Sequence, residues 1–166
     1  MDSEARKKVF EYLNRLEIGF ECHEHPAVAT VEAAMQYCAG MEDVTHCKNL
    51  FLRNRKGDRY YLVILEWSKK PDIRSLGQKT GQRRLSFASP ERMETLLGLS
   101  PGSVSLFGVI NDTGHAVHLI LDKELYSARK LSFHPNDNTA SLVISNSGFH
   151  RFLEHCGNSY EFVELL

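Results

Sequence analysis

Short, strand-like segments separated by turn residues fill the second half of the chain, and they limit the possible folds more than any other feature of the sequence. Four strands are predicted over residues 103–110, 115–121, 130–134 and 139–145. Asn-Asp-Thr-Gly separates the first two strands and Pro-Asn-Asp-Asn the last two, and both sequences favour tight turns. We therefore expect most neighbouring strands to pair in the antiparallel direction.

Helices are predicted between the strands. The chain opens with apolar residues at helical spacing, and an alternating segment at 18–23 follows as a strand. The residues at helical spacing are Val9, Phe10, Leu13 and Leu16. Thr30 is a candidate N-cap for a helix over residues 31–37, and Asp72 is a candidate cap for another.

Two later helices carry stronger end signals. Ser-Pro-Glu at residues 89–91 predicts a helix start, and Gly98 predicts its end. Ser147 is the predicted cap of the last helix, which Gly157 ends before a short final strand. The apolar face of that helix consists of Phe149, Phe152, Leu153 and Cys156.

A β-hairpin is predicted in the middle of the chain. Strands over residues 47–53 and 59–65 flank a polar turn at 54–58. Lys48 is unusual in the first of these strands, because the positions two and four residues later are leucines. Its ammonium group either reaches solvent at the start of the strand or lines a pocket for a phosphate or carboxylate.

This order of elements indicates an α+β fold with a curved, mixed, mostly antiparallel sheet. The length of 166 residues is enough for one hydrophobic core, so residues 1–166 are expected to form a single domain. The nucleotide-binding patterns GxGxxG and GxxxxGK[ST] are absent from the sequence. A doubly wound dinucleotide fold is therefore not expected.

Composition excludes several classes of protein. Hydrophobic residues make up 42% of the chain and charged residues 25%, as in ordinary globular proteins. No apolar run approaches the roughly 20 residues that span a bilayer, and no export signal is recognisable, so a cytoplasmic protein is expected. The four cysteines form no CxxC pair and are expected to be reduced thiols. With a net charge of −1, any contact with RNA should be local.

Familiar catalytic patterns are weak in this sequence. Residues 98–102 fit GxSxG, but a helix precedes them and a strand follows, the reverse of a nucleophile elbow, and Pro101 has no N–H to offer an oxyanion. The eight histidines include His23 and His25 on one strand face and His46 beside Cys47. No HExxH is present, and we expect no metal site. The cysteines are interpreted as packing residues.

Two further segments could face a polar ligand. Residues 101–105 combine a glycine turn with two serine hydroxyls, although an ordinary helix-to-strand connection would have the same composition. His134 ends a predicted strand just before Pro135, where a side chain can face a cleft. Neither feature identifies a function by itself.

Four segments together resemble the YbaK/ProX family of aminoacyl-tRNA editing proteins, also called the prolyl-tRNA-synthetase-associated domain. They are His-Cys-Lys-Asn-Leu-Phe-Leu-Arg at 46–53, Leu-Ser-Pro-Gly-Ser-Val-Ser at 99–105, Phe-Gly-Val-Ile-Asn-Asp at 107–112 and Leu-Ser-Phe-His-Pro-Asn-Asp-Asn at 131–138. The likeness runs over nearly the whole chain, and the order and spacing of the four segments are more specific than any one of them. It is greatest to the free-standing branch that removes alanine from proline tRNA.

This resemblance implies a mixed sheet flanked by helices, a pocket for the aminoacylated terminal adenosine, and editing in trans by a separate protein. It implies catalytic roles for Lys48, Gly102 and His134, and it implies neither a metal nor another cofactor. The substrate-binding residues that it implies are Asn49, Ser103, Ser105, Leu106, Asn111 and Asp112. The family pattern has proline four residues after the glycine, and Leu106 stands there in this chain.

The resemblance suggests a hydrolysis that needs no protein nucleophile. A ribose ester carries a neighbouring hydroxyl, so positioning a water and polarising the carbonyl can be enough. Backbone groups of the Gly102 loop would orient the hydroxyl and the water, and Lys48 would bind the terminal phosphate or sugar. Asn49, Ser105 and His134 would position the ester or its amine.

The expected partner is the acceptor end of aminoacylated tRNA(Pro), with prolyl-tRNA synthetase or an elongation factor as a possible helper and no membrane. A pocket that admits alanine excludes proline, which complements a synthetase that gains only about 1–3 kcal/mol per methylene. The alternative is a non-catalytic module of the same fold that binds an aminoacyl or nucleotide ligand.

Overall fold

The computed structural model describes residues 3–27, 43–82 and 84–165. The described α-helices are α1 (Glu4–Arg15), α2 (Ile73–Thr80), α3 (Pro90–Leu97) and α4 (Asn146–His155). The described strands are β1 (Phe20–Glu24), β2 (Val44–Arg53), β3 (Tyr60–Glu66), β4 (Ser86–Phe87), β5 (Val117–Asp122), β6 (Lys130–Phe133), β7 (Ala140–Ser145) and β8 (Tyr160–Val163). Two 3₁₀ helices cover Leu106–Asn111 and Lys123–Ser127. The helix predicted over 31–37, with its cap Thr30, lies outside the described residues.

All eight described strands join one mixed sheet in the order β1-β7-β6-β2-β3-β5-β8, with β4 paired to β2. The pairs β1/β7, β6/β7, β2/β3 and β2/β4 are antiparallel. The pairs β2/β6, β3/β5 and β5/β8 are parallel. With helices packed on this sheet, the predicted α+β fold with a mixed, mostly antiparallel sheet is confirmed.

Strand β2 changes partners along its length. Val44–His46 pair with β6, residues 47–53 pair with β3, and the last two residues also pair with β4 on the side that β6 has left. The predicted hairpin is confirmed, and Asn54 fixes its turn by accepting the backbone N–H groups of residues 57, 58 and 59. Between β6 and β4, one edge of β2 faces no described strand.

Each face of the sheet covers its own apolar cluster. Cys47 and Phe51 of β2 face the larger cluster, in which α1, α3, α4 and the first 3₁₀ helix pack. Leu52 of β2 faces the smaller one, together with Leu65 and with Leu76 of α2. Alternation along β2 therefore decides which layer each of its side chains enters.

Most helix ends follow their local signals. Asp72 accepts the N–H of Arg74, and Ser89 accepts that of Arg92 with proline at the first helical position, as predicted. Gly98 ends α3 in the left-handed conformation with φ 66°. The predicted cap Ser147 is wrong, because β7 runs directly into α4. Ser145 is the cap and accepts the N–H of Gly148.

The strand predicted over residues 103–110 is also wrong. Leu106–Asn111 form a 3₁₀ helix whose first four residues are all buried. A strand would bury only alternate residues on one face, whereas this segment is enclosed between α3 and the aromatic core. A Cβ at position 108 would lie 2.7 Å from Leu99 Cδ1, so only glycine permits this close packing.

In the part of the chain that the structure describes, no helix is both long enough and apolar enough to cross a bilayer.

Candidate active site

Lys48 stands on β2 opposite Leu65 of β3, half-buried. Alternation puts its side chain on the face of Leu50 and Leu52. Among the described residues, its ammonium forms no hydrogen bond or ion pair. A cation that is partly removed from water and has no internal partner is suited to bind an anionic ligand.

His134 follows the last residue of β6 and its ring is held in one orientation. Nδ1 lies 2.8 Å from the carbonyl oxygen of Ala140. Because a carbonyl only accepts, Nδ1 carries the proton and donates it. Burial lowers the pKa of His134 and the neighbouring His25 lowers it further, although the bond to Ala140 acts in the opposite direction. At neutral pH the imidazole is therefore uncharged, with Nε2 as an acceptor.

The parallel ladder between β2 and β6 brings Lys48 and His134 to one face of the sheet. Its last pair is His46 with Ser132. Lys48 and His134 each follow two residues later, so alternation places both on the face of that last pair. A cation on β2 and a neutral hydrogen-bond acceptor just after β6 thus lie on the same face, where the ladder ends.

His25 extends this face beyond the predicted residues. Its Nε2 lies 3.1 Å from Ser141 Oγ, and its ring centre is 6.1 Å from that of His134. The sequence offered no signal for this pairing, because His25 is more than 100 positions from its neighbours and meets them only through the β1/β7 ladder.

Asn49 points away from Lys48, toward the larger cluster, and its Oδ1 is buried with no partner among the described residues. The carbonyl of Phe51 accepts the N–H of Ala88 beside β4. Backbone groups two residues apart point to the same edge of a strand, so the N–H and C=O of Asn49 face the open edge between β6 and β4. This stretch of backbone, which pairs with no described strand, is a feature that sequence reasoning missed.

The Gly102 loop is a tight turn. Gly102 has φ 92°, in the left-handed region that favours glycine, and the N–H of Ser103 donates to the carbonyl of Ser100. Asn136, two residues after His134, donates its amide to the carbonyl of Phe107 at 3.2 Å. This bond ties the His134 turn to the 3₁₀ helix that follows the loop.

Four predicted substrate-binding residues occupy structural positions. Ser105 is fully buried and caps the 3₁₀ helix, and Leu106 is fully buried in the larger cluster. Asn111 connects α1 to α3 by accepting from Lys8 and donating to the carbonyl of Leu97. Asp112 accepts the N–H groups of Ala116 and Val117 and the amide of Asn158.

The structure also shows the surroundings of the residues considered for metal binding and for nucleophilic attack. The described residues contain no group of three or more His, Cys, Asp or Glu side chains placed to hold a metal ion. Burial raises the pKa of the Cys47 thiol far above its usual range, so it stays protonated and is a poor nucleophile. Ser100 comes shortly after α3, which ends at Leu97, and no described strand leads into it, so the strand-to-helix order of a nucleophile elbow is absent there.

Comparisons with known proteins show the family to which this chain belongs. The profile of the "Aminoacyl-tRNA editing domain" family matches residues 25–152. The Prolyl-tRNA editing protein ProX of Acetoanaerobium sticklandii is 37% identical over 166 residues, covering 99% of this chain and 100% of that protein. The Prolyl-tRNA synthetase associated domain-containing protein 1 of Danio rerio is 32% identical, covering 91% of this chain and 82% of that protein.

A solved structure has the same fold. A candidate trans-editing enzyme for prolyl tRNA synthetase superposes with a TM-score of 0.74 at 18% identity, covering 99% of both chains. The mixed sheet flanked by helices is thus the fold of that structure as well. This chain belongs to the aminoacyl-tRNA editing domain family. It is an aminoacyl-tRNA deacylase, a hydrolase that acts on an ester bond.

Proposed function

We propose that this protein edits in trans, as one domain over residues 1–166, and removes alanine from mischarged tRNA(Pro). The observation that carries the proposal is that Lys48 and His134 share one face at the end of the β2/β6 ladder. The name of the ProX relative supports a substrate made by prolyl-tRNA synthetase. The cytoplasm, where aminoacyl-tRNA is used, is the proposed location.

The proposed reaction is attack of a water oxygen on the ester carbonyl carbon. The bond between that carbon and the ribose oxygen breaks, and free amino acid and the tRNA hydroxyl are the products. The proton of the water reaches the leaving ribose oxygen through the neighbouring ribose hydroxyl. No covalent bond to the protein forms, which suits a site without an activated nucleophile.

Lys48 binds the terminal phosphate or the sugar and so holds the ester at the open edge of β2. His134 offers Nε2 as an acceptor for the substrate amine or the water. The Gly102 loop supplies backbone groups, with Ser103 beside them, and Asn49 contributes the backbone N–H and C=O that face the open edge of β2. Ser105, Leu106, Asn111 and Asp112 act indirectly in this proposal, because they hold the loop and the turn before β5.

The tRNA contact is expected to be small, because a net charge of −1 gives little general attraction to a polyanion. Recognition would then depend on a few contacts near the acceptor end, helped by prolyl-tRNA synthetase or an elongation factor. The number of phosphate contacts can be measured from how the deacylation rate depends on salt. The logarithm of the rate is expected to fall only slightly with the logarithm of the salt concentration.

Replacing Lys48 tests the proposal. Lys48→Ala is expected to lower the rate of alanine release from tRNA(Pro) at least about a hundredfold, because the cation that holds the substrate is lost. Release from alanyl-, cysteinyl-, seryl- and prolyl-tRNA(Pro) is measured in parallel, and alanine is expected to be released fastest. Lys56→Ala, in the exposed hairpin turn, is the matched control and should keep full activity.

Circular dichroism and thermal unfolding of both variants verify that the fold is intact. Full activity in folded Lys48→Ala would contradict the proposed site. Binding of tRNA without release of any of the four amino acids would instead identify a non-catalytic binding module.

A further inference from the structure

A cavity of about 420 Å³ lies at the other end of β3 from the candidate active site. Its wall includes Tyr61, which pairs with Leu52, whereas Lys48 pairs with Leu65 four residues further along β3. Neither Lys48, Gly102 nor His134 lines it. The volume is in the range of about 300–1,000 Å³ that small-molecule sites occupy.

The hydroxyl of Tyr61 is a buried polar group to which the described residues offer no partner. The residue is 3% exposed, and its oxygen makes no hydrogen bond within the described parts of the chain. Leaving such a group unpaired costs folding free energy, so most buried hydroxyls are paired. A ligand that occupies the cavity would supply the missing partner.

Beside Tyr61, three polar side chains form a connected chain. His118 is the strand neighbour of Tyr61, and their rings meet edge to face at 6.1 Å. His118 Nε2 donates to Glu161 Oε2 at 2.6 Å, since a carboxylate only accepts. Nδ1 lies 2.7 Å from Ser159 Oγ, within hydrogen-bond distance. The lone pairs of Ser159 and of Glu161 can then accept hydroxyl groups of a ligand.

The position of Ser159 is fixed by the backbone as well. Its carbonyl accepts the N–H of Leu119 at 2.9 Å, which anchors the residue against β5. Together with the contact between its hydroxyl and His118 Nδ1, this places the hydroxyl at the cavity wall before any ligand arrives, and a preorganised polar group binds at a lower entropic cost.

Arg59 gives the cavity a positive side. It is exposed just before β3 and forms no ion pair among the described residues. Glu161 lies on β8, and β5 separates the two strands, which places them about 10 Å apart. A guanidinium group suits phosphate, whereas the carboxylate side repels it. The ligand should thus carry an anionic group at one end and hydroxyl groups at the other.

We propose that this cavity binds a small phosphorylated sugar, either free or as the sugar phosphate of a mononucleotide. The phosphate lies at Arg59, and the sugar hydroxyls meet Tyr61, Ser159 and Glu161. This site is separate from the deacylase site and does not depend on its chemistry.

Calorimetric titration of the full chain with ribose 5-phosphate, AMP, ribose and inorganic phosphate tests the proposal. Ribose 5-phosphate or AMP is expected to bind at least about tenfold more tightly than ribose or phosphate alone. Tyr61→Phe and Arg59→Ala should each weaken that binding about tenfold. Tyr126→Phe and Arg55→Ala, which change exposed residues outside the cavity, should leave it unchanged. Absence of millimolar binding, or binding that Tyr61→Phe and Arg59→Ala do not weaken, would overturn the proposal.

Two further measurements test the unpaired hydroxyl and the separation of the two sites. Without ligand, Tyr61→Phe should keep or raise the melting temperature, because it removes an unpaired buried hydroxyl. A lower melting temperature would mean that the hydroxyl is already paired, against the proposal. Lys48→Ala should bind the sugar phosphate normally, and loss of binding in that variant would place the ligand in the deacylase site instead.

Discussion

His134 illustrates how one residue serves both the site and the stability of the fold. Its Nδ1–H donates to Ala140, and burial lowers its pKa, so the folded protein favours the uncharged ring. In the unfolded chain the ring protonates near its ordinary pKa of 6.5. Burial lowers the pKa of His46 in the same way, with His23 adding to the effect and Glu66 opposing it.

The pH dependence of stability follows from these shifts. A histidine whose folded pKa is lowered stabilises the fold above the unfolded pKa, and this contribution is lost as the pH falls from about 6.5 toward the folded value. The free energy of unfolding should therefore decrease between pH 7 and pH 5. His134→Gln should make this decrease smaller, and His134→Gln combined with His46→Gln smaller still.

Urea denaturation at half-unit pH steps measures this effect. Burial raises the carboxyl pKa of Asp137, but its hydrogen bonds to Ser3 and Thr139 outweigh this and lower it, so its stabilisation is fully present above the ordinary pKa of 3.8 and is lost only as the pH falls below that value. The pH range in which the histidines act and the range in which Asp137 acts are thus separate. If the free energy of unfolding falls equally from pH 7 to pH 5 in wild type and in His134→Gln, the His134 ring does not govern the pH dependence of stability.

At the scale of elements, α1 is tied to the β6–β7 connection by the buried guanidinium of Arg6, which is 2% exposed. Arg6 donates to Thr139 Oγ1 at 2.6 Å and lies 3.8 Å from an oxygen of Asp137. A second bond, at 2.8 Å, reaches Glu24 of β1. One side chain thus holds three segments around the turn that carries His134.

Arg6→Ala is expected to lower the free energy of unfolding by about 3 kcal/mol, because it removes the buried cation that pairs with the partly buried Asp137 and donates to Thr139. Lys7→Ala is the matched control: Lys7 is 52% exposed and pairs with an exposed glutamate, so its loss should cost less than about 0.5 kcal/mol. Chemical denaturation measures both values. Equal costs for the two variants would show that the Arg6 contacts do not stabilise the fold.

At the scale of the whole molecule, one aromatic group joins the candidate site to the core. Phe107, in the 3₁₀ helix after the Gly102 loop, meets Phe133 of β6 at 5.4 Å and Phe152 of α4 at 5.3 Å between ring centres. Phe133 in turn stacks on Phe149. The helices, the sheet and the segment after the Gly102 loop therefore meet in one buried aromatic cluster.

Phe107→Ala is expected to destabilise the protein by about 3–5 kcal/mol, since it removes a fully buried ring and leaves a cavity. Phe87→Ala removes the same side chain from β4, where it is 61% exposed, and should cost less than about 1 kcal/mol. Denaturation midpoints of the two variants give the comparison. A small loss for Phe107→Ala would mean that the core can close around the missing ring.

The sequence by itself determined the features that depend on neighbouring residues. The caps at Asp72 and Ser89, the stop at Gly98 and the Asn54 hairpin turn are each stabilised by groups within about five positions, so their signals are local. Lys48 and His134 could also be selected from sequence, because their residue types are unusual where they occur.

Only the tertiary structure decided the partners of those residues. The open edge of β2, the 3₁₀ helix in place of a strand at Leu106–Asn111, and the meeting of Tyr61 with His118 all depend on which distant segments pack together. The helix α4 begins at Asn146, and Ser145 caps it because β7 ends there and not because of a stronger local signal. Burial and strand pairing join residues far apart in the chain, and their energies exceed local preferences that amount to about 1 kcal/mol or less per residue.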